Sequence, residues 1–171
     1  MNTLVASVAV ILLLTGQHPQ MPAGMSHEEH LKQMQKDEAL KKRGAEAMGF
    51  DQDATTHHFR LSAAGGSIEV TARDEADRAT VDAIRAHLRS IAGEFATGRF
   101  DKPLQTHGEV PPGAADMQKL REKIAYRFDE LPGGGAVRIE TNDRRALDAV
   151  HAFLRYQIAE HHTGDSMQLK R

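Results

Sequence analysis

The strongest constraint on this chain is a match between its two halves. The stretch MGFDQDATTHHFRLSAAGGSIEVTARD, beginning at Met48, aligns without gaps on MQKLREKIAYRFDELPGGGAVRIETND, beginning at Met117. Phe59 falls on Phe128, Gly65-Gly66 on Gly134-Gly135, Ile68 on Val137 and Val70 on Ile139. With three more residues allowed in the first loop, DAIRAHLRSIAGEFATG (82–98) matches DAVHAFLRYQIAEHHTG (148–164). Self-similarity of this kind reads as one supersecondary unit used twice.

Each half reads strand, turn, strand, helix. His57, Phe59 and Leu61 alternate with His58 and Arg60, the period of a half-buried strand. Beyond a Gly-containing turn, Ile68 and Val70 alternate with Glu69 and Thr71, completing a hairpin. Val81, Ile84, Leu88, Ile91 and Phe95 then recur on one helical face. The second half follows with Tyr126 and Phe128, Val137 and Ile139, then Leu147, Val150, Leu154 and Ile158. A lone hairpin is marginal in water. The expected fold is therefore α+β: two ββα repeats forming a four-stranded antiparallel sheet, two helices packed on one face, and an N-terminal helical arm. The connection between the halves, with Pro103, Pro111 and Pro112, reads as a loop followed by a short helix near 114–123.

What the halves share serves the fold, so what they do not share is the better place to look for a site. Histidine is distributed in that unshared way. His57 and His58 match Tyr126 and Arg127, His87 matches Phe153, His151 matches Arg85, and His161 takes the place of Phe95. At about 100° per residue, His161 lies within the buried helical face and His151 at its edge. His57 shares the sheet face of Phe59 and Leu61. If a two-fold axis perpendicular to the sheet relates the halves, the second helix ends over the start of the first strand, and His57 meets His161 there. His58 and His162 join only if local geometry turns them, while His107 and Met48 are additional donors from loops. Converging imidazoles without thiolates suit Cu(II), zinc or nickel.

The N-terminal segment reads as an address and an arm. Leu4–Leu14 is an apolar run of eleven residues, too short for a span of about 20 and suited to a signal peptide. The expected organisation is a signal peptide over 1–16, a His/Met-containing polar helical arm over 17–47, and the two-repeat domain over 48–171, with halves about 48–100 and 115–165. Ser26 and Glu29 have the spacing of a capping box, so a helix starts at His27 and frays near Gly44. It is mostly charged and should lie exposed or loosely docked. His18, Met21, Met25, His27, His30 and Met34 crowd into this arm, and His27, His30 and Met34 form one stripe. Thioether ligands select Cu(I).

Several function classes fall away. The net charge of −2 gives no basic footprint for nucleic acid. Without cysteine there is no disulfide, thiolate nucleophile or thiolate zinc site. HExxH and Gly-x-Ser-x-Gly motifs are both missing, and Gly133-Gly134-Gly135 is a hairpin turn instead of a phosphate loop. The chain leans away from an enzyme.

The stretches MGFDQDATTHHFRL (48–61), THGEVPPG (106–113) and VHAFLRYQIAEHHTGD (150–165) resemble a group of small, uncharacterised exported bacterial proteins. Members sometimes carry the label aspartate carbamoyltransferase. This chain does not support that chemistry, being too short for the two-domain transferase and lacking its Ser-Thr-Arg-Thr loop. The arm segment GMSHEEHLKQM (24–34) is similar to arms of periplasmic copper-handling proteins. Both resemblances imply export.

The expectation is a periplasmic or secreted metal-binding protein, copper foremost and zinc second. It sequesters or delivers the ion through His57 and His161, with His58, His151, His162 and His107, and gathers it with His27, His30 and Met34. No stable membrane span is expected after signal removal. The alternative is a module that binds a periplasmic protein or a small ligand on the open sheet face, which carries His58, Arg60, Glu69, Thr71, Arg127 and Arg138. A histidine-dependent enzyme ranks last.

Overall fold

The structure, a computed structural model, describes residues 26–169. The expected signal peptide and His18, Met21 and Met25 lie outside the described residues. Among those described, no helix is long and apolar enough to cross a membrane.

The expected α+β architecture is observed. Strands β1 (Thr55–Ser62), β2 (Gly65–Ala72), β3 (Ile124–Leu131) and β4 (Gly134–Thr141) form one antiparallel sheet in the order β1-β2-β4-β3. The hairpins turn through Ala63-Ala64 and Pro132-Gly133. They join along β2 and β4, where Ile68 faces Val137 and Gly66 faces Ile139. This junction is tight at Gly65 (φ 144°), where an added Cβ would sit 1.9 Å from the Ile139 carbonyl oxygen; only glycine fits there.

Helices α2 (Arg78–Ala96) and α5 (Arg144–Glu160) start at Asp77 and Asp143, whose carboxylates cap the first free N–H groups. Their apolar faces bury Ile84, Leu88 and Phe95 on one and Val150, Leu154 and Ile158 on the other. The helices are exchanged. α2 lies mainly over β3 and β4, and α5 over β1 and β2, so each hairpin is covered chiefly by the helix of the other half. That exchange carries the end of α5 to the beginning of β1.

One feature of the connection differs from the sequence reading, while the short helix expected near 114–123 is present. Residues 101–107, read as loop, form helix α3 (Asp101–His107), with Pro103 in its first turn, where a missing N–H costs nothing. Helix α4 (Ala114–Lys119) follows, continued by a 3-10 turn over Arg121–Lys123.

The first helix, α1 (His27–Met48), runs past Gly44 instead of fraying there. Two compact units divide within it, one up to Gln35 and one from Lys36. In the first, Ser26 and Glu29 make the reciprocal capping box and Lys32 pairs with Glu28 at 2.7 Å. In the second, the segment from Lys36 to Met48 is docked, not loose. Leu40 is buried, Lys36 pairs with Glu160 at 2.9 Å, and Gly44 packs so closely on Gln52 that a Cβ would lie 1.8 Å from its Nε2. The close approach explains a glycine inside a helix that continues.

Candidate functional site

His57 stands on β1, facing the helices, and His161 is the C-cap of α5. Their rings are nearly parallel (7°), with centroids 5.6 Å apart. His107, the last residue of α3, sets its ring edge-on to His161 at 5.1 Å. These three rings and His87 of α2 line one cavity of about 60 Å³, with Met48, Phe59, Phe95 and Phe153 among its walls. Phe50 packs beside two of these rings, 6.2 Å from that of His57 and 5.7 Å from that of His87. Ligand sites for drug-sized molecules run to about 300–1,000 Å³. This space suits an ion or a water or two.

With the Gln157 amide oxygen turned to His107, the hydrogen bonds assign which nitrogens carry lone pairs. The Thr55 hydroxyl donates to the Gln52 carbonyl at 3.0 Å, so it accepts from His57 Nδ1–H at 3.4 Å. His57 Nε2 is then the basic nitrogen, buried and without a partner. His107 Nε2–H donates to Gln157 Oε1 at 2.9 Å, leaving Nδ1 basic, buried and also without a partner. A ring pinned through one nitrogen with the other lone pair free is the arrangement that outer partners impose on a ligating histidine. An unsatisfied buried polar atom costs about 1–3 kcal/mol. Arg43 of α1 steadies His107 further by donating to the Thr106 and His107 carbonyls at the end of α3.

The cavity keeps its rings neutral. Burial pushes His57 down to about 4, with the neighbouring His58 adding to the effect. His161 falls to about 3, through burial and then the proximity of His57, His107 and His162. Burial lowers His87 to about 4, aided by Lys102 and His57. His107 is lowered by burial, against an opposing pull from its bond to Gln157. At neutral pH these lone pairs carry no competing proton.

The other candidates stand elsewhere. His151 is not part of the group: buried on α5, it turns Nε2 to the Ser62 and Gly65 carbonyls at 2.9 and 3.1 Å, bracing the β1–β2 turn at the far end of the strand from Thr55. His58 points to the opposite sheet face, as alternation requires, and Nδ1 donates to Asp165 Oδ1 at 3.0 Å. His162 is exposed beside the end of α5, with Nε2 3.4 Å from Asp37 Oδ1. His27, His30 and Met34 lie on the first turns of α1, with Met34 48% exposed. Among the described residues, no three His, Asp or Glu side chains stand converged on a single ion position.

His87 was the residue not singled out as a ligand, although its match to the apolar Phe153 places it on an inward position. The open sheet face proves largely self-paired. Glu69 accepts from Arg60, Ser67 and Arg138 at 3.0, 3.0 and 2.7 Å, and Asp129 pairs with Arg138 and Arg127.

The ring contact has a counterpart at the matching positions of the other half, where Phe95 and Tyr126 meet edge-on at 5.8 Å. No protein-family model, no curated protein and no solved structure matches this chain, so what the cavity can do rests on its own residues.

Proposed function

We propose that this protein is an exported copper-binding protein that holds Cu(I) in the imidazole cavity, for sequestration or delivery. The observation that carries this reading is the pair of buried, unpartnered lone pairs on His57 Nε2 and His107 Nδ1, with the His161 ring between them.

Ring spacing supports it. With metal–nitrogen bonds of about 2.0–2.1 Å, a ligated imidazole centroid lies roughly 3.2 Å from the ion. Two such rings are then about 5.2–6.4 Å apart for bond angles from tetrahedral to linear; the 5.6 Å His57–His161 separation falls within that range and the 5.1 Å His107–His161 separation at its lower edge. Zinc in a structural site wants four donors in a tetrahedron, a set absent among the described residues. Cu(I) is satisfied by fewer and softer donors, so two imidazoles with the Met48 thioether on the same cavity wall form a plausible set. Neutral donors in an apolar cavity also favour the ion of lower charge. The His27, His30 and Met34 stripe of α1 would gather the ion at the surface.

The test is a titration of the untagged protein with Cu(I) against a chromophoric chelator. The expected result is uptake of one ion per chain, lost in His57→Ala/His161→Ala. Uptake no greater than that of a histidine-free control protein would end the proposal.

A further inference from the structure

The two outer strands of the sheet, β1 and β3, are finished differently. Two-residue turns make Ser62–Gly65 and Leu131–Gly134 the hydrogen-bonded closing pairs of their hairpins. Bonding to the neighbouring strand then alternates, and Phe59 and Phe128, at matching positions, both turn their N–H groups away from the sheet. On β1 that N–H is taken. It donates to Asp165 Oδ2 at 2.9 Å, and Phe59 is 3% exposed. On β3, no group among the described residues accepts from the outward N–H groups of Tyr126, Phe128 and Glu130. The Phe128 ring is only partly buried, with the Arg89 guanidinium 4.6 Å over it. An open row of main-chain groups is a template for another strand.

Charge selects the register that a second β3 would take. Arg127 and Asp129 lie on the open sheet face and Phe128 on the helical face, and pairing must keep like faces together. An antiparallel pair centred on Phe128 sets Arg127 opposite the partner's Asp129, twice over. The N–H and C=O groups of Phe128 then bond reciprocally with those of the partner's Phe128. Centring the pair on Arg127 or on Asp129 instead sets two like charges face to face, which is unfavourable. Arg127 already leans on Asp129 of its own strand, so the favoured register gathers four alternating charges around the axis.

We propose that β3 is a dimerisation edge, pairing antiparallel with β3 of a second copy in the register centred on Phe128 and joining two four-stranded sheets into one. The Asp165 carboxylate occupies the matching N–H of the other edge, so the assembly closes as a two-fold dimer instead of growing into a fibre. The imidazole cavity stands against β1, and the inference is independent of what that cavity binds.

The experiment is sedimentation equilibrium of the full chain, of Arg127→Asp, of Asp129→Arg, and of an equimolar mixture of the two variants. The parent should dimerise with a Kd of about 1–100 μM, as a small main-chain interface allows. Each variant alone opposes like charges at two positions and should bind itself about tenfold or more weakly. The mixture should pair again, because the two carboxylates of one variant meet the two guanidinium groups of the other. A second measurement leaves the charges untouched. In a chain without cysteine, Phe128→Cys places two thiols across the axis on Cα atoms about 5.5 Å apart, and mild oxidation should cross-link them. A parent chain that stays monomeric at about 1 mM would overturn the proposal. So would variants that dimerise as the parent does, a mixture no more dimeric than its components, or a Phe128→Cys chain that fails to cross-link.

Discussion

Acid should unfold this protein through its imidazole cavity. An unconstrained histidine titrates near 6.5, whereas burial holds His57 and His87 at about 4 and His161 at about 3. Between those values the unfolded chain takes up protons that the folded chain refuses. Stability is therefore complete above pH 6.5 and falls as the pH drops towards 4. By pH 5 each such ring has removed about 2 kcal/mol. Three of them consume a large share of the roughly 5–15 kcal/mol that a domain has in all. The clean perturbation is His161→Phe, which installs the residue found at the matching position, Phe95. Urea unfolding at pH 7.5 and pH 5.0 measures the difference. The variant should lose about 2 kcal/mol less than the parent on acidification, and at pH 7.5 the two should agree within about 1.5 kcal/mol. Equal acid sensitivity in both proteins would refute the reasoning, because it would mean that residue 161 titrates alike in the folded and unfolded chains.

Other perturbations separate the roles of neighbouring residues. His151→Phe removes the donor shared by the Ser62 and Gly65 carbonyls; it should cost about 1–3 kcal/mol in urea unfolding and leave copper uptake unchanged. Gln157→Leu removes the acceptor that fixes the His107 tautomer and should weaken Cu(I) binding about 10–100-fold in chelator competition while circular dichroism stays native. A chain ending at residue 112 should show no cooperative thermal transition, because α2 lies mainly over β3 and β4 and its own hairpin is covered by α5.

The sheet and its two covering helices were legible because period-two and period-3.6 patterns occur twice, each occurrence supporting the other. The His57–His161 approach was legible for the same reason: alternation sets the sheet face of one, angular spacing sets the helical face of the other, and the crossing brings them together. Helix α3 was not, since seven residues with a proline show no period, and with it went the position of His107. The docking of α1 was hidden by its composition. From Lys36 onward it is held by Leu40, a glycine contact and ion pairs, none of which leaves an apolar stripe. His151 misled because an inward imidazole has two outlets, a shared ligand or a nearby carbonyl, and only coordinates reveal which is in reach. The tether of Asp165 to His58 and to the Phe59 amide, at 3.0 and 2.9 Å, depends on a tail that no periodicity describes.

The two ring contacts separate what the fold needs from what the site adds. At one end of the sheet Phe95 meets Tyr126 at 5.8 Å; at the matching positions His161 meets His57 at 5.6 Å. The centroid spacing is nearly the same, although one pair meets edge-on and the other in parallel, so an aromatic ring occupies the place that an imidazole takes at the other end. The buried atom without a partner does not distinguish the two places, since the Tyr126 hydroxyl is another, but the depressed pKa of the imidazoles opposes folding as the pH falls below 6.5, which no phenylalanine does. Natural proteins accept such local costs mainly where a site needs them. An ion bound only by the folded state returns the lost stability in proportion to its concentration over Kd. If the proposed Cu(I) binding holds, the bound ion returns what the imidazoles cost in acid, and phenylalanine at positions 57 and 161 would make a protein less sensitive to acid but unable to take up the ion.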